Sequence, residues 1–100
     1  MAGNKGFGLL RCLGDDAEIL TLAVMPDFRR QGVGKAVVAA MAQWARERKA
    51  IAVFLEVKQG NAAAQDLYEK AGFKVISRRK DYYQREGGTR EDAVVMRLTF

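Results

Sequence analysis

Apolar residues dominate two early stretches, GFGLLRCL (6–13) and AEILTLAV (17–24), separated by the turn-forming GDD (14–16). Two β-rich runs joined by a short Gly-Asp turn predict a hairpin. MPDFRRQ (25–31) then breaks the pattern with the single proline of the chain, Pro26. From Gly32 to about Lys49 the apolar period changes: Val33, Val37, Ala40, Met41, Trp44 and Ala45 recur at spacings of three and four. That spacing predicts one face of an amphipathic helix. Arg46, Arg48 and Lys49 fall in its last turn, where cations suit the negative end of the helix dipole.

IAVFLEV (51–57) has the character of a short buried strand. Alternation places Ile51, Val53, Leu55 and Val57 on one face, and Ala52, Phe54 and Glu56 on the other. Asn61 is a good N-cap for a second helix, NAAAQDLYEKAG, closed by Gly72. Within it Ala64, Leu67 and Tyr68 share a face. A strand FKVISRRK (73–80), a polar loop with EGG (86–88) and a last strand AVVMRLTF (93–100) complete the chain. The order β-β-α-β-α-β-β predicts one α/β domain over residues 1–100 with a mixed sheet, its first five residues flexible. Residues 17–57 are expected to form a right-handed parallel crossover.

Composition narrows what such a domain can do. Hydrophobic residues make up 49% and charged residues 29%, a globular rather than a disordered balance. No apolar run approaches the roughly 20 residues of a membrane-spanning helix. The start, MAGNKGFGLL, has one lysine and no sustained apolar core, so it does not read as a signal peptide and a cytoplasmic location is expected. The single Cys12 has no internal disulfide partner, and the chain holds no histidine to serve as its base. It reads as a buried structural thiol in the first strand. The lack of histidine also removes Ser-His-Asp catalysis and most zinc sites, so no metal is expected. A net charge of +5, from 17 basic and 12 acidic residues, favours an anionic partner: nucleic acid, a membrane surface or a phosphorylated small molecule. A solvated basic surface would give the same count.

RRQGVGKA (29–36) adds chemistry to that charge. A helix N-terminus presents unbonded backbone N–H groups and a partial positive charge, and glycine there lets an anion approach the backbone. Gln31, Gly32, Val33, Gly34 and Lys35 offer amides, while Arg29, Arg30 and Lys35 offer charge. The stretch therefore reads either as a phosphate cradle or as a plain loop with incidental glycines. It is not a P-loop, since Ala36 follows Gly34-Lys35, and not a dinucleotide fingerprint, since position 37 is valine. It does fit Q/R-x-x-G-x-G/A, with Arg29 first and Gly32 and Gly34 as the glycines.

That pattern resembles the coenzyme A pyrophosphate loop of the GNAT acetyltransferases. FLEVKQGNAAAQDLYEKAGF (54–73) strengthens the resemblance, because Asn61, Ala64, Leu67, Tyr68, Gly72 and Phe73 fill the family pattern N-x-x-A-x-x-L-Y-x-x-x-G-F. Together with RRKDYY (78–83) and EDAVVMRL (91–98), it narrows to the RimI branch, the bacterial ribosomal-protein-alanine N-acetyltransferases. The similarity runs from about residue 17 to the C-terminus.

The resemblance implies a GNAT fold and direct acetyl transfer from acetyl-CoA to a protein N-terminal α-amine, with a ribosomal protein as partner and no direct nucleic-acid or membrane binding. An α-amine has a pKa of about 7.7–8.0 and must lose a proton to react. Glu56, a carboxylate on an otherwise apolar strand face, is the candidate base, with desolvation expected to raise its pKa; a solvated rim glutamate is the alternative. Tyr68 is the candidate acid for the leaving thiolate, or a core aromatic with its hydroxyl at the surface. By the same resemblance Asn61 bonds the pantetheine arm, Leu22, Ala23 and Val24 offer backbone groups near the thioester, and Tyr82 and Tyr83 approach the acceptor. A GNAT acting on a small amine or a lysine side chain, or an idle acyl-CoA-binding module, are the alternatives.

The chain departs from the family in one respect. GNAT domains usually open with strand-helix-helix-strand before the segment matching residues 6–13, and here only five residues precede it. A shortened chain, a partner chain that completes the acceptor groove, or acyl-CoA binding without efficient turnover would each account for this. An unpaired edge at residues 6–13 further leads to an expected homodimer.

Overall fold

A computed structural model describes residues 6–24, 32–84 and 90–100. The early hairpin forms as its pattern predicts. Strand β1 (Gly6–Leu13) and strand β2 (Asp16–Val24) pair antiparallel across a turn at Gly14, whose φ of +63° favours glycine. Their register shifts between Leu9 and Leu10, which face Thr21 and Ile19 respectively, so Leu20 is an extra residue on β2. This is a β-bulge.

Helix α1 (Val33–Glu47) follows, then strand β3 (Ala52–Lys58), helix α2 (Ala62–Lys70), and strands β4 (Lys74–Gln84) and β5 (Arg90–Thr99). The strands make one sheet in the order β1-β2-β3-β5-β4. β2 and β3 run parallel, and every other neighbouring pair is antiparallel, which is the expected mixed sheet. β4 is longer than its pattern predicted, and β1 and β4 are the two edges.

The crossovers β2-α1-β3 and β3-α2-β4 step in the same direction across the sheet. Two right-handed crossovers of that kind place both helices on one face. The core agrees with that placement: Val38, Met41 and Ala45 of α1 and Tyr68 of α2 join Val53, Leu55, Val57, Val94 and Met96 of the sheet in one buried cluster. The opposite face, set by strand alternation, carries Phe7, Leu9 and Leu13, all exposed, together with Glu18, Phe54, Glu56 and Arg97.

α1 approaches β1 closely because Gly8 lacks a side chain. A Cβ there would collide with Met41 Sδ and stand 2.6 Å from its Cε. Val38 is buried, whereas Val37, expected on the inward face, is only half-buried, so that face is turned toward Val38, Met41 and Ala45. At the far end, Arg48 stacks on Trp44 at 3.6 Å and donates to its carbonyl. Arg46 lies 5.2 Å from the Phe100 ring.

Two burial expectations are corrected. Cys12 is exposed rather than a buried thiol; it sits near the end of β1, an edge strand with a sheet neighbour on one side only. Ile51 is 59% exposed and precedes β3 rather than sharing the buried face of Val53, Leu55 and Val57. Residues 1–5 and the loop at 86–88 lie outside the described residues. Among the described residues, no helix is long and apolar enough to cross a membrane.

Candidate active site

β2 and β3 pair only over Asp16–Glu18 against Ala52–Phe54. Past that point the strands part, immediately after which β2 carries its bulge at Leu20. A bulge bends its strand and increases local twist, which gives the separation a local cause. The gap is a cleft of about 360 Å³ lined by Ile19–Leu22 of β2, Leu55–Lys58 of β3 and Asn61, Ala64 and Tyr68 of α2. It opens at the carboxyl ends of two parallel strands, where α/β sheets bind ligands. Both helices begin at this end of the sheet, because each leads from the carboxyl end of one strand back to the start of the next parallel strand.

Glu56 and Tyr68 both line the cleft. The Glu56 side chain is 29% exposed, and its Oε1 lies 3.1 Å from Arg79 Nη1. The expected carboxylate isolated among apolar neighbours is therefore corrected to one held by a guanidinium. The pair depends on a second irregularity: Val75 faces Met96 while Ser77 faces Val95, so Ile76 is an extra residue on β4. A one-residue insertion switches every following side chain to the other face. It is this bulge that puts Arg79 on the face of Glu56.

Tyr68 is 5% exposed, and its ring meets Phe73 edge to face with centroids 5.6 Å apart. Burial pushes the pKa of its hydroxyl above the ordinary 10.0. No buried side-chain nitrogen or oxygen lacks a partner among the described residues. Asn61 caps α2, its Oδ1 accepting from the Ala64 amide at 3.1 Å, which leaves its side-chain NH₂ for another partner. The loop carrying it is braced from two sides by contacts that local sequence pattern does not reveal. Glu91 Oε1 accepts from the Gly60 amide at 2.6 Å, and Gln65 Nε2 donates to the carbonyls of Gln59 and Lys58.

Gly32 is the N-cap of α1, with φ 78° and ψ 6°, and makes no side-chain cap. Its carbonyl accepts from Ala36, so the amides of Val33, Gly34 and Lys35 have no partner within the helix. No acidic residue occupies the first turn, which leaves the positive end of the dipole open to an anion. Lys35 is exposed beside it. Leu22 lines the cleft, and Ala23 and Val24 continue β2 opposite Phe7 and Gly6. Arg29, Arg30 and Gln31 lie outside the described residues, as do the side chains of Val24, Tyr82 and Tyr83. Among the described residues, no three His, Cys, Asp or Glu side chains are grouped so as to hold a metal.

A sheet that parts beside two helix N-termini matches the resemblance seen in the sequence. The model of the acetyltransferase (GNAT) family matches residues 5–73. The chain belongs to the GNAT family. It is 40% identical over 92 residues to the [Ribosomal protein bS18]-alanine N-acetyltransferase of Haemophilus ducreyi, covering 92% of this chain and 63% of that one. The crystal structure of the ribosomal-protein-S18-alanine N-acetyltransferase from Escherichia coli superposes with a TM-score of 0.88 at 36% identity, covering 98% of this chain and 64% of that one. A putative streptothricin acetyltransferase from Bacillus anthracis, solved in complex with acetyl coenzyme A, superposes at 0.84 with 32% identity, over 96% of this chain and 56% of that one. The chain thus spans less than two thirds of the length of these GNAT relatives.

Proposed function

We propose that this GNAT chain transfers acetyl from acetyl-CoA to the N-terminal α-amine of a protein, an alanine of a ribosomal protein as in the bS18-acetylating relatives. The observation that carries the reading is the convergence of Glu56 and Tyr68 on one cleft between β2 and β3. Support for acetyl-CoA comes from the first turn of α1, which offers the amides of Val33, Gly34 and Lys35 with no acidic neighbour to repel a pyrophosphate. Arg29, Arg30 and Gln31 precede that turn in sequence and would add charge and amides. The Asn61 NH₂ would bond the pantetheine arm, and the backbone of Leu22, Ala23 and Val24 would lie along the thioester.

In the reaction, the acceptor nitrogen attacks the thioester carbonyl carbon in a ternary complex, with no acyl-enzyme. Glu56 takes the proton that the nitrogen sheds. The C–S bond breaks as the carbonyl re-forms, and the Tyr68 O–H meets the sulfur as it gains charge. A free thiol has a pKa near 8.5, below that of tyrosine, so the hydroxyl acts chiefly by hydrogen bonding to the leaving thiolate. Coenzyme A then equilibrates its proton with solvent, as does Glu56. Tyr82 and Tyr83, on β4 beyond Arg79, are the candidates for contacting the acceptor.

The similarity to the Bacillus anthracis structure described as a putative streptothricin acetyltransferase favours one second reading, a small-amine acceptor. Thiol release with acetyl-CoA separates the two. A peptide with N-terminal alanine should support turnover while its Nα-blocked form and free polyamines do not. Turnover on polyamines alone would move the assignment to the second reading, and coenzyme A binding without turnover on any amine would make the chain an acyl-CoA-binding module.

A further inference from the structure

On the face of the sheet opposite the helices, Glu18 of β2 and Glu56 of β3 are each paired with an arginine. Arg11 Nη2 lies 3.5 Å from Glu18 Oε2, and Arg79 Nη1 lies 3.1 Å from Glu56 Oε1. Among the described residues, the other charged groups near Glu56 on this face are Glu18, held by Arg11, Glu91, whose Oε1 accepts from the Gly60 amide, and the cations Lys58 and Arg97. Lys58 follows two residues along β3, and Arg97 lies over the Phe54 ring at 6.0 Å. A lone carboxylate at the mouth of a cleft attracts ammonium ions by charge; one already held by a guanidinium does not.

We propose that Arg79 is a specificity-determining residue that steers the site toward amines able to arrive uncharged. This rests on the reading of Glu56 as the residue facing the acceptor nitrogen. An α-amine, with a pKa of about 7.7–8.0, presents a substantial neutral fraction near pH 8, whereas a lysine-type amine near 10.4 presents almost none. With Glu56 neutralised by Arg79, a polyamine or lysine side chain gains nothing from its permanent charge and still must shed a proton. Without Arg79, the exposed carboxylate would concentrate such cations in the cleft. The bulge at Ile76 is the structural device behind this, since it turns Arg79 onto the face of Glu56.

The test titrates spermidine, and separately a peptide with N-terminal alanine, into coenzyme A-saturated protein at pH 9, where the α-amine is mostly neutral and spermidine is still cationic. Arg79→Gln should raise spermidine affinity about two- to fivefold, the range measured for partly exposed charge pairs, and change peptide affinity by less than about twofold. Arg79→Lys should keep the wild-type ratio of the two affinities. In the double variant Glu56→Gln/Arg79→Gln the spermidine gain should vanish, which localises the effect to that carboxylate. No gain in Arg79→Gln, or a gain that persists without Glu56, overturns the proposal. The readout needs no turnover, so it is separate from the role of Glu56 as base, which the rate of Glu56→Gln alone decides.

Discussion

The rings of Tyr68 and Phe73 meet edge to face, 5.6 Å between centroids and 64° between planes, at the point where α2 turns into β4. One residue thus packs in the core and also lines the cleft. The two roles separate by removing the oxygen alone. Tyr68→Phe should leave the urea midpoint nearly unchanged while lowering kcat about 10²-fold, the usual effect of deleting one donor to developing charge. An unchanged kcat would remove the hydroxyl from the mechanism. Because burial raises the Tyr68 pKa above 10.0, the hydroxyl keeps its proton through the neutral range, and kcat should not fall between pH 7 and 9 on its account. The sign for stability follows: the folded chain favours the protonated ring, so stability is full below pH 10 and declines as pH rises through the raised value.

Asn61 joins a structural duty to a proposed binding one. Its Oδ1 caps α2 through the Ala64 amide, and its NH₂ is the group assigned to the pantetheine arm. Asn61→Ala should cost about 1 kcal/mol of stability and also weaken coenzyme A binding. Asn61→Ser keeps a capping oxygen but lacks the amide, so stability should be retained while coenzyme A affinity falls severalfold. Equal affinity in Asn61→Ser and wild type would confine Asn61 to capping.

Gly32 isolates a backbone requirement. Among the described residues no atom lies within 4 Å of a Cβ built on it, yet its φ is +78°. Gly32→Ala should therefore cost about 1 kcal/mol through conformation alone, with Gly32→Asn costing less because asparagine enters the left-handed region more readily. Chemical denaturation of the two variants measures this directly. If alanine were tolerated freely, the left-handed cap would not be what places the α1 amides.

The elements were legible because hydrophobic period reports local geometry, and the hairpin, both helices and the succession of elements along the chain all followed from it, though not the order of strands within the sheet. The start of α1 at the glycines and the cap at Asn61 were legible for the same reason, since each is settled within a few residues. Burial was less so. Cys12 and Ile51 are apolar residues on or beside strands, but a residue is buried only by what lies over it, and among the described residues both stay exposed. The Arg79–Glu56 pair was not legible at all. It reaches from β4 to β3 across the width of β5, and its existence turns on one extra residue, Ile76, in the β4 register. The bracing of Gly60 by Glu91 is likewise a contact between segments 31 positions apart.

The central claim is that Glu56 takes the proton of the acceptor amine, and the rate of Glu56→Gln with acetyl-CoA and a peptide of N-terminal alanine tests it most directly. Glutamine keeps the size and the half-buried position but cannot accept a proton. At pH 7 the rate should fall about 10²-fold or more while coenzyme A affinity stays within twofold. A rate equal to wild type, with the protein folded and coenzyme A bound, would contradict the account.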